Sequence, residues 1–273
     1  MFGAASQRVR SRRGTGESMI HEFLPDSRIG VRPHPSPNHN ERKGKPIDSI
    51  VLHYTGMESA DAALDLLCDP VHEVSSHYLV SADGEAFQLV PEARRAWHAG
   101  RGTWAGETDM NARSIGIEMA NAGHKYGAPP FEDAQIETVI ALCKDIAARH
   151  AISPTRILGH SDIAVGRKID PGEIFPWERL ASAGVGHWAA PAPLLGTEGH
   201  SLQLGDSGRE VAELQQSLAH YGYGISVTGL YDESTAMVVT AFQRHFRPAL
   251  LHGIADPSTR DTLARLIATA PVI

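Results

Sequence analysis

Two kinds of hydrophobic pattern alternate along the first two-thirds of the chain. Short runs of apolar and β-branched residues, of which 47–55 and 114–120 are the clearest, predict buried strands. Residues 77–90 hold two such runs around an Asp-Gly dipeptide, which is typical of tight hairpins. Residues 58–68 and 133–150 instead carry apolar side chains at helical spacing. Because the hairpin breaks strict strand–helix alternation, we expect an α/β (mixed α+β) fold with a central mixed β-sheet flanked by helices.

The pattern changes near residue 183. Residues 183–200 are rich in Ala, Gly and Pro and show no periodicity, which favours a linker. Helical spacing returns at 211–221, 233–246 and 258–267, which predicts a small all-α three-helix C-terminal domain. The predicted organisation is therefore a disordered leader, a larger α/β domain, a linker and a helical domain, at residues 1–24, 25–182, 183–200 and 201–270.

Composition and charge exclude some classes of function but do not identify the function. The 273 residues are 42% hydrophobic and 21% charged, as in an ordinary soluble domain. A formal net charge of −7 argues against nucleic acid as the main partner. The basic start of the chain is followed by no apolar region of a secretory signal. The expected location is therefore the cytoplasm, with the cell envelope as the alternative.

A short segment, residues 159–172, concentrates the candidate chemistry. It holds His160, Lys168 and Asp170 between glycines that indicate loops or sharp turns. A segment of this kind can fold back and bring His160 and Asp170, ten positions apart, onto one metal ion. A catalytic zinc site uses three protein ligands and an open position, and the best third candidate is His53, at the end of the predicted strand 47–55.

Two further residues suit a hydrolytic site. Glu118 lies within the strand 114–120, where a carboxylate in a sealed core would be costly. Strand alternation can point Glu118 to solvent, or it can place the carboxylate in a cleft as a general base. Lys168 shares a face with Asp170 on an extended segment and can stabilise an oxyanion; without a metal site it would be a solvated surface lysine.

These segments together resemble a known enzyme family. The motifs are Ile-Val-Leu-His53-Tyr-Thr, Ala-Trp97-His98-Ala-Gly, Ser-Ile-Gly-Ile-Glu118-Met-Ala-Asn121, Gly-His160-Ser-Asp-Ile and Lys168-Ile-Asp170-Pro-Gly. In this order they resemble the zinc-dependent N-acetylmuramoyl-L-alanine amidases of the AmpD/AmiD type (the amidase_2 family), over about residues 35–182.

The resemblance implies a role for each matched position. Zinc is expected on His53, His160 and Asp170, with Glu118 as catalytic acid/base and Lys168 as transition-state stabiliser. The implied reaction cleaves the amide between N-acetylmuramic acid and L-alanine in peptidoglycan or muropeptides. The positions that match motifs bordering the substrate groove are Trp97, His98 and Asn121.

The C-terminal segment resembles the peptidoglycan-binding domain often attached to cell-wall hydrolases. Its matches, such as Leu204-Gly-Asp-Ser-Gly208 and Ala241-Phe242-Gln243, are mostly core or turn positions. The alternative is a helical domain that contributes only stability, because fold does not establish function. For the whole chain, we expect a monomer that acts on peptidoglycan or anhydro-muropeptides. The competing hypothesis is a non-catalytic peptidoglycan-recognition protein on the same fold.

Overall fold

The computed structural model describes residues 23–194 and 199–271. In these ranges the strands are β1 (Arg32–Pro33), β2 (His39–Glu41), β3 (Ser49–Tyr54), β4 (Tyr78–Val80), β5 (Ala86–Gln88), β6 (Arg94–Ala96), β7 (Ser114–Met119) and β8 (Ile157–Gly159). The helices are α1 (Ala60–Cys68), α2 (Met110–Arg113), α3 (Asp133–His150), α4 (His160–Ile163), α5 (Trp177–Ser182), α6 (Arg209–Tyr221), α7 (Glu233–Phe246) and α8 (Pro257–Thr269). The leader predicted for residues 1–24 lies, up to residue 22, outside the described residues.

Six of the strands form one mixed sheet in the order β1-β5-β4-β7-β3-β8. The predicted hairpin is present as the antiparallel pair β4–β5, whereas β4, β7, β3 and β8 run parallel to one another. A second, two-stranded sheet pairs β2 with β6. The mixed sheet flanked by helices, with three long helices after it, confirms the predicted fold class.

Strand alternation gives the central sheet two different faces. On β3, Ile50 and Leu52 point to the face covered by α3 and join a core with Ile136 and Val139 of that helix. The neighbours of these strand residues point the other way, toward a face that is only partly covered. On that side α1 packs over β4 through Leu79. A cleft is left between α1 and the loop that follows β8.

The three C-terminal helices pack on the same face as α1, at the other side of the cleft. Their core is continuous with that of the sheet, because residues from both regions form one buried cluster: Val51, Ala99, Trp104, Met110, Leu158, Ile163, Ala164, Leu202, Val211, Leu214, Leu218, Tyr221, Tyr223, Tyr231, Val238, Val239, Ala241, Phe242, Phe246, Ala255, Leu263 and Leu266. The predicted linker contributes Ala192, which is buried and hydrogen-bonded to Ser258 and Thr262. Within the described ranges, no helix combines the length and the apolar character needed to cross a membrane.

Candidate metal centre and active site

The register of two parallel strands brings the two predicted histidine ligands together. Leu52 of β3 pairs with Gly159 of β8, so the next residues, His53 and His160, emerge side by side at the carboxyl ends of the strands. The chain then makes the short helix α4 and returns, and the Ser161 amide donates to the Asp170 carbonyl at 2.9 Å. This backbone hydrogen bond closes the loop and delivers the Asp170 side chain to the same point.

The three side chains meet in a compact triangle. His53 Nδ1, His160 Nδ1 and Asp170 Oδ2 are each 3.0 Å from the other two. Ligands at ordinary zinc distances in a tetrahedron lie about 3.3 Å apart, since Zn–N and Zn–O bonds are about 2.0–2.2 Å long. All three residues are buried. The donor set and its spacing therefore fit a small divalent cation, and the residues form the candidate metal centre.

The hydrogen bonds behind the histidines fix which nitrogen carries the proton. His160 Nε2 lies 3.0 Å from the Ala99 carbonyl, which can only accept, so Nε2 is the donor, and in the neutral imidazole Nδ1 carries the lone pair. A longer series of hydrogen bonds fixes the proton of His53 in the same way. The Ser114 hydroxyl donates to the Met110 carbonyl at 2.5 Å, so His98 Nε2 must donate to Ser114 Oγ at 3.3 Å.

The remaining nitrogen of His98, Nδ1, then accepts from His53 Nε2 at 3.0 Å. His53 Nδ1 consequently also presents a lone pair to the triangle. Hydrogen bonds of this kind set the tautomer and ring orientation of metal-binding histidines. His98 and the neighbouring carbonyl of Ala99 therefore hold one histidine each, and both belong to the motif that the sequence had suggested for the substrate groove.

Burial sets the charge state of the ligands. Burial, and next the proximity of His160, lowers the pKa of His53 to about 4, so that its imidazole is neutral at pH 7. For Asp170, burial alone would raise the pKa, but the adjacent His160 and His53 lower it well below the usual value. Neutral imidazoles and an ionised carboxylate are the forms that bind a metal ion.

Glu118 lies beside this triangle because of strand register. It pairs with His53 across β7 and β3, and both side chains point to the cleft face of the sheet. Its Oε2 atom is buried and has no hydrogen-bond partner among the described residues. Burial, with the negative charge of Asp170, raises the pKa of Glu118 to about 8, and the positive charge of Lys168 opposes the shift. An unpartnered carboxyl of raised pKa suits an exchangeable proton.

The triangle and Glu118 line a cavity of about 330 Å³. One wall is apolar and comes from α1 and the following turn, with Leu66, Leu67 and Val74. Trp97 borders the cavity, and the exposed Lys168 lies at its rim. The cavity therefore combines an apolar wall with a cationic rim above the candidate metal centre.

The structure does not bring Asn121 into this cavity. Its side-chain amide donates to the carbonyls of Pro129 and Pro130 at 3.0 and 3.3 Å, and its Oδ1 accepts from the Gly123 amide at 2.9 Å. These three bonds satisfy the side chain and fix a turn beside the site. His98 does border the cavity, but both of its ring nitrogens are hydrogen-bonded to protein groups, namely His53 and Ser114.

Three hydrogen-bonded side chains that the sequence did not suggest lie beside the site. The Tyr54 hydroxyl lies 3.1 Å from His124 Nδ1, and His124 Nε2 lies 3.1 Å from a Glu173 carboxylate oxygen. The close approach requires Gly172, because a Cβ there would lie 2.7 Å from the His124 ring. Nothing in the spacing of these residues along the chain indicated that they meet.

The chain is similar in sequence to known families and proteins. Residues 43–173 match the family model described as N-acetylmuramoyl-L-alanine amidase, and residues 207–263 match the putative peptidoglycan binding domain. The chain is 42% identical over 231 residues to the N-acetylmuramoyl-L-alanine amidase AmiD of Escherichia coli K12, which covers 78% of this chain and 80% of that protein. It is 41% identical to the 1,6-anhydro-N-acetylmuramyl-L-alanine amidase AmpD of Enterobacter cloacae over 39% of this chain and 55% of that protein.

Two solved structures have the same fold. The complex of E. coli AmiD with anhydro-N-acetylmuramic acid-L-Ala-D-γ-Glu-L-Lys superposes with a TM-score of 0.70 at 37% identity, covering 85% of this chain and 97% of that one. AmpDh3 of Pseudomonas aeruginosa, in complex with an anhydromuramic pentapeptide, gives 0.67 at 29% identity over 92% and 100% of the two chains. The chain therefore belongs to the N-acetylmuramoyl-L-alanine amidase family, as the motifs around its candidate metal centre had suggested.

Proposed function

We propose that this chain hydrolyses the amide bond between the lactyl carbonyl of N-acetylmuramic acid and L-alanine, with zinc held by His53, His160 and Asp170. The observation that carries the proposal is the 3.0 Å triangle of two lone-pair nitrogens and one carboxylate oxygen, with an unpartnered Glu118 carboxyl beside it. A bound zinc ion supplies Lewis acidity to the attacking water and to the amide carbonyl.

Glu118 is the proposed acid/base. Its carboxylate accepts a proton from the attacking water and, once protonated, donates that proton to the nitrogen of the leaving L-alanine. A buried carboxyl of raised pKa can perform both transfers near neutral pH, because neither protonation state is strongly disfavoured. Its fixed place beside His53 keeps it near the reacting carbonyl without any movement of the strand.

Lys168 is the proposed stabiliser of the charge that develops on the amide oxygen. It lies between His160 and Asp170 in the sequence and lines the same cavity as they do. Its ammonium group is exposed, so its contribution depends on the substrate covering it and excluding water.

For the substrate, we propose a muropeptide or a peptidoglycan strand with its stem peptide in the cleft. The AmiD and AmpDh3 structures named above hold anhydro-muropeptides. In this chain the apolar wall formed by Leu66, Leu67 and Val74, with Trp97 nearby, suits packing against the sugar ring and the methyl groups of the lactyl and alanyl units.

We further propose that residues 25–182 form the catalytic domain and that residues 201–270 bind peptidoglycan, with 183–200 between them. The match of residues 207–263 to a putative peptidoglycan binding domain supports the second assignment. Attachment to the polymer would raise the local concentration of scissile bonds around a monomeric enzyme.

Product analysis tests the proposal directly. The zinc-loaded protein is incubated with purified peptidoglycan and, separately, with an anhydro-muropeptide, and products are identified by mass spectrometry. We expect free stem peptides that begin with L-alanine, and none from Glu118→Ala protein. Intact substrates together with retained peptidoglycan binding would instead identify a recognition protein. The preferred substrate separates polymer turnover from muropeptide recycling.

A further inference from the structure

One C-terminal helix, α7, packs against the loop that carries the candidate metal ligands. It contacts the loop near its start, middle and end. His245 reaches the side chain of Asp162, and Arg244 Nε lies 3.4 Å from Glu173. Between them, Met237 lies so close to Gly166 that a Cβ there would clash with the Met237 sulfur. One side of the loop therefore packs on the C-terminal helices, while residues 166–169 are exposed to solvent.

The contact at Asp162 is the most specific of the three. Asp162 follows His160 by two positions, and its side chain is completely buried. Its Oδ1 accepts from the Tyr223 hydroxyl at 2.8 Å. Its Oδ2 accepts from His245 Nδ1 at 2.7 Å and from the Gly159 amide at 2.7 Å. Two of its three donors thus come from the C-terminal region, and the third is the backbone immediately before His160.

The donor side chains are themselves held rigidly. The His245 ring stacks on Trp177, with 3.7 Å between centroids and 19° between planes, so it fills the space between the loop and α5. The Tyr223 ring packs edge-on against Trp104 at 5.0 Å. All four side chains are buried. Neither donor can therefore leave Asp162 without opening the shared core.

We infer that Tyr223 and His245 are positioning residues for the metal centre: through the buried carboxylate of Asp162, they fix the backbone that presents His160. The C-terminal helices then have a second role in addition to the proposed binding of peptidoglycan. This inference rests on the proposed metal site. Both residues would act through Asp162 and not by contact with the substrate or the metal.

The physical reason is the cost of a buried charge. A fully buried carboxylate that loses its donors must find new ones or reach water, because an unpaired buried charge is strongly disfavoured. The remaining donor to Asp162 is the amide of Gly159, so any movement of the carboxylate transmits to the Leu158–Gly159 peptide, one residue before His160. The His160 ring would then lose its alignment with His53 and Asp170, and the affinity for metal would fall.

The test compares variants that remove hydrogen bonds but keep the rings. Tyr223→Phe and His245→Phe, singly and combined, delete the donors to Asp162 while preserving the aromatic packing. Tyr231→Phe is the matched control, since the Tyr231 hydroxyl is also in the buried C-terminal core but donates to the Gly253 carbonyl at 2.8 Å, away from the loop. His245→Asn restores an N–H donor near the position of Nδ1.

The main readout is zinc affinity of the full chain, measured by competition with a chromophoric chelator, with the visible spectrum of the cobalt-substituted protein as a second readout. Loss of outer-shell partners typically weakens metal binding 10–100-fold. We expect at least a tenfold loss of affinity for the double variant and an altered cobalt spectrum. We expect values within about threefold of wild type for Tyr231→Phe and for His245→Asn, by the same scale.

The outcomes separate this inference from the proposed function. A wild-type protein that binds no zinc overturns the metal site itself. A wild type that binds zinc, with unchanged affinity and cobalt spectrum in the double variant, overturns the positioning role even if thermal stability drops. Should the double variant not fold, the single Tyr223→Phe change, which removes one oxygen atom, decides the question by the same two readouts.

Discussion

His53 and Glu118 are register partners on the adjacent parallel strands β3 and β7, and both side chains point away from α3 into the cleft. Parallel pairing fixes this neighbourhood in the backbone, so the proposed metal ligand and the proposed acid/base need no induced fit to meet. Their alternation partners on the other face, such as Leu52 and Ile117, lie in the core against α3. Packing of that core therefore determines the geometry of the site.

The first prediction concerns Glu118→Gln, which keeps the size of the side chain and removes its proton-transfer capacity. We expect kcat on an anhydro-muropeptide to fall by about 10²–10⁴, the usual contribution of a general acid/base. Bound zinc should remain stoichiometric, because Glu118 is outside the ligand triangle. Glu137→Gln, at an exposed position on α3, is the control and should keep full activity. Retained turnover in Glu118→Gln protein would remove Glu118 from the proposed mechanism.

A second prediction is that the adjacent residues His98 and Trp97 have different roles, one in metal binding and the other in substrate binding. His98→Ala removes the acceptor of the His53 Nε2 proton, and we expect zinc affinity to fall by about 10–100-fold. Trp97→Ala removes a cavity wall without touching a ligand, so we expect a higher KM with zinc affinity unchanged. Metal competition and steady-state kinetics on the two variants check both statements. A His98→Ala protein that binds zinc normally and shows only a raised KM would restore His98 to a substrate-binding role.

Much of the fold could be predicted from the sequence, because the patterns that indicate each long helix or strand lie within that element. Helix α3 was predicted with its observed bounds, since its apolar spacing is regular over 18 residues. The strands carrying His53 and Glu118 were also identified from their own composition. The short strands β2 and β6 were not, because three-residue strands such as His39–Glu41 have no period of their own and exist only through their pairing.

The three residues that form the triangle could be selected from the sequence, but the groups that hold them in place could not. His53, His160 and Asp170 stand in motifs whose residue types suggest a metal. The support from Ser114 through His98, and that from Tyr223 and His245, depend on contacts between segments separated by 16 to 83 positions. Hydrophobic periodicity shows which face of an element is buried. It does not show which distant polar group meets that face.

A third prediction uses the close contact between Gly116 and His98. An added Cβ at position 116 would lie 2.5–2.7 Å from three atoms of the His98 ring, so Gly116→Ala must displace that ring. We expect a loss of about 1–3 kcal/mol in the free energy of unfolding, the usual cost of overpacking, together with weaker zinc binding. In a His98→Ala background the same change should cost much less, because the clashing ring is absent. Equal costs in both backgrounds, measured by denaturant unfolding, would contradict this contact.

The last prediction concerns acid stability and Glu92, which lies outside the proposed site. Its side chain is only 3% exposed, and Oε1 accepts from Tyr78 at 2.6 Å and from Arg149 at 2.7 Å. Burial alone would raise its pKa, but these hydrogen bonds, with one from His150, lower it to about 2. In the unfolded chain the pKa of this glutamate is about 4.5, so the ionised carboxylate stabilises the folded state above that pH. The gain is lost as the pH falls from about 4.5 through 2.

We therefore expect Glu92→Gln to lower the free energy of unfolding at pH 7 by about 2–3 kcal/mol, since it leaves Arg149 without its buried partner. The variant should also lose part of the decline in stability between pH 4.5 and 2 that the wild type shows. Glu41→Gln is the matched control, because its ion pair with Arg94 is largely exposed and worth at most about 1 kcal/mol. Urea unfolding at pH 7, 4 and 3 measures both effects. Parallel pH profiles for wild type and Glu92→Gln would show that this carboxylate is not the group whose protonation destabilises the fold.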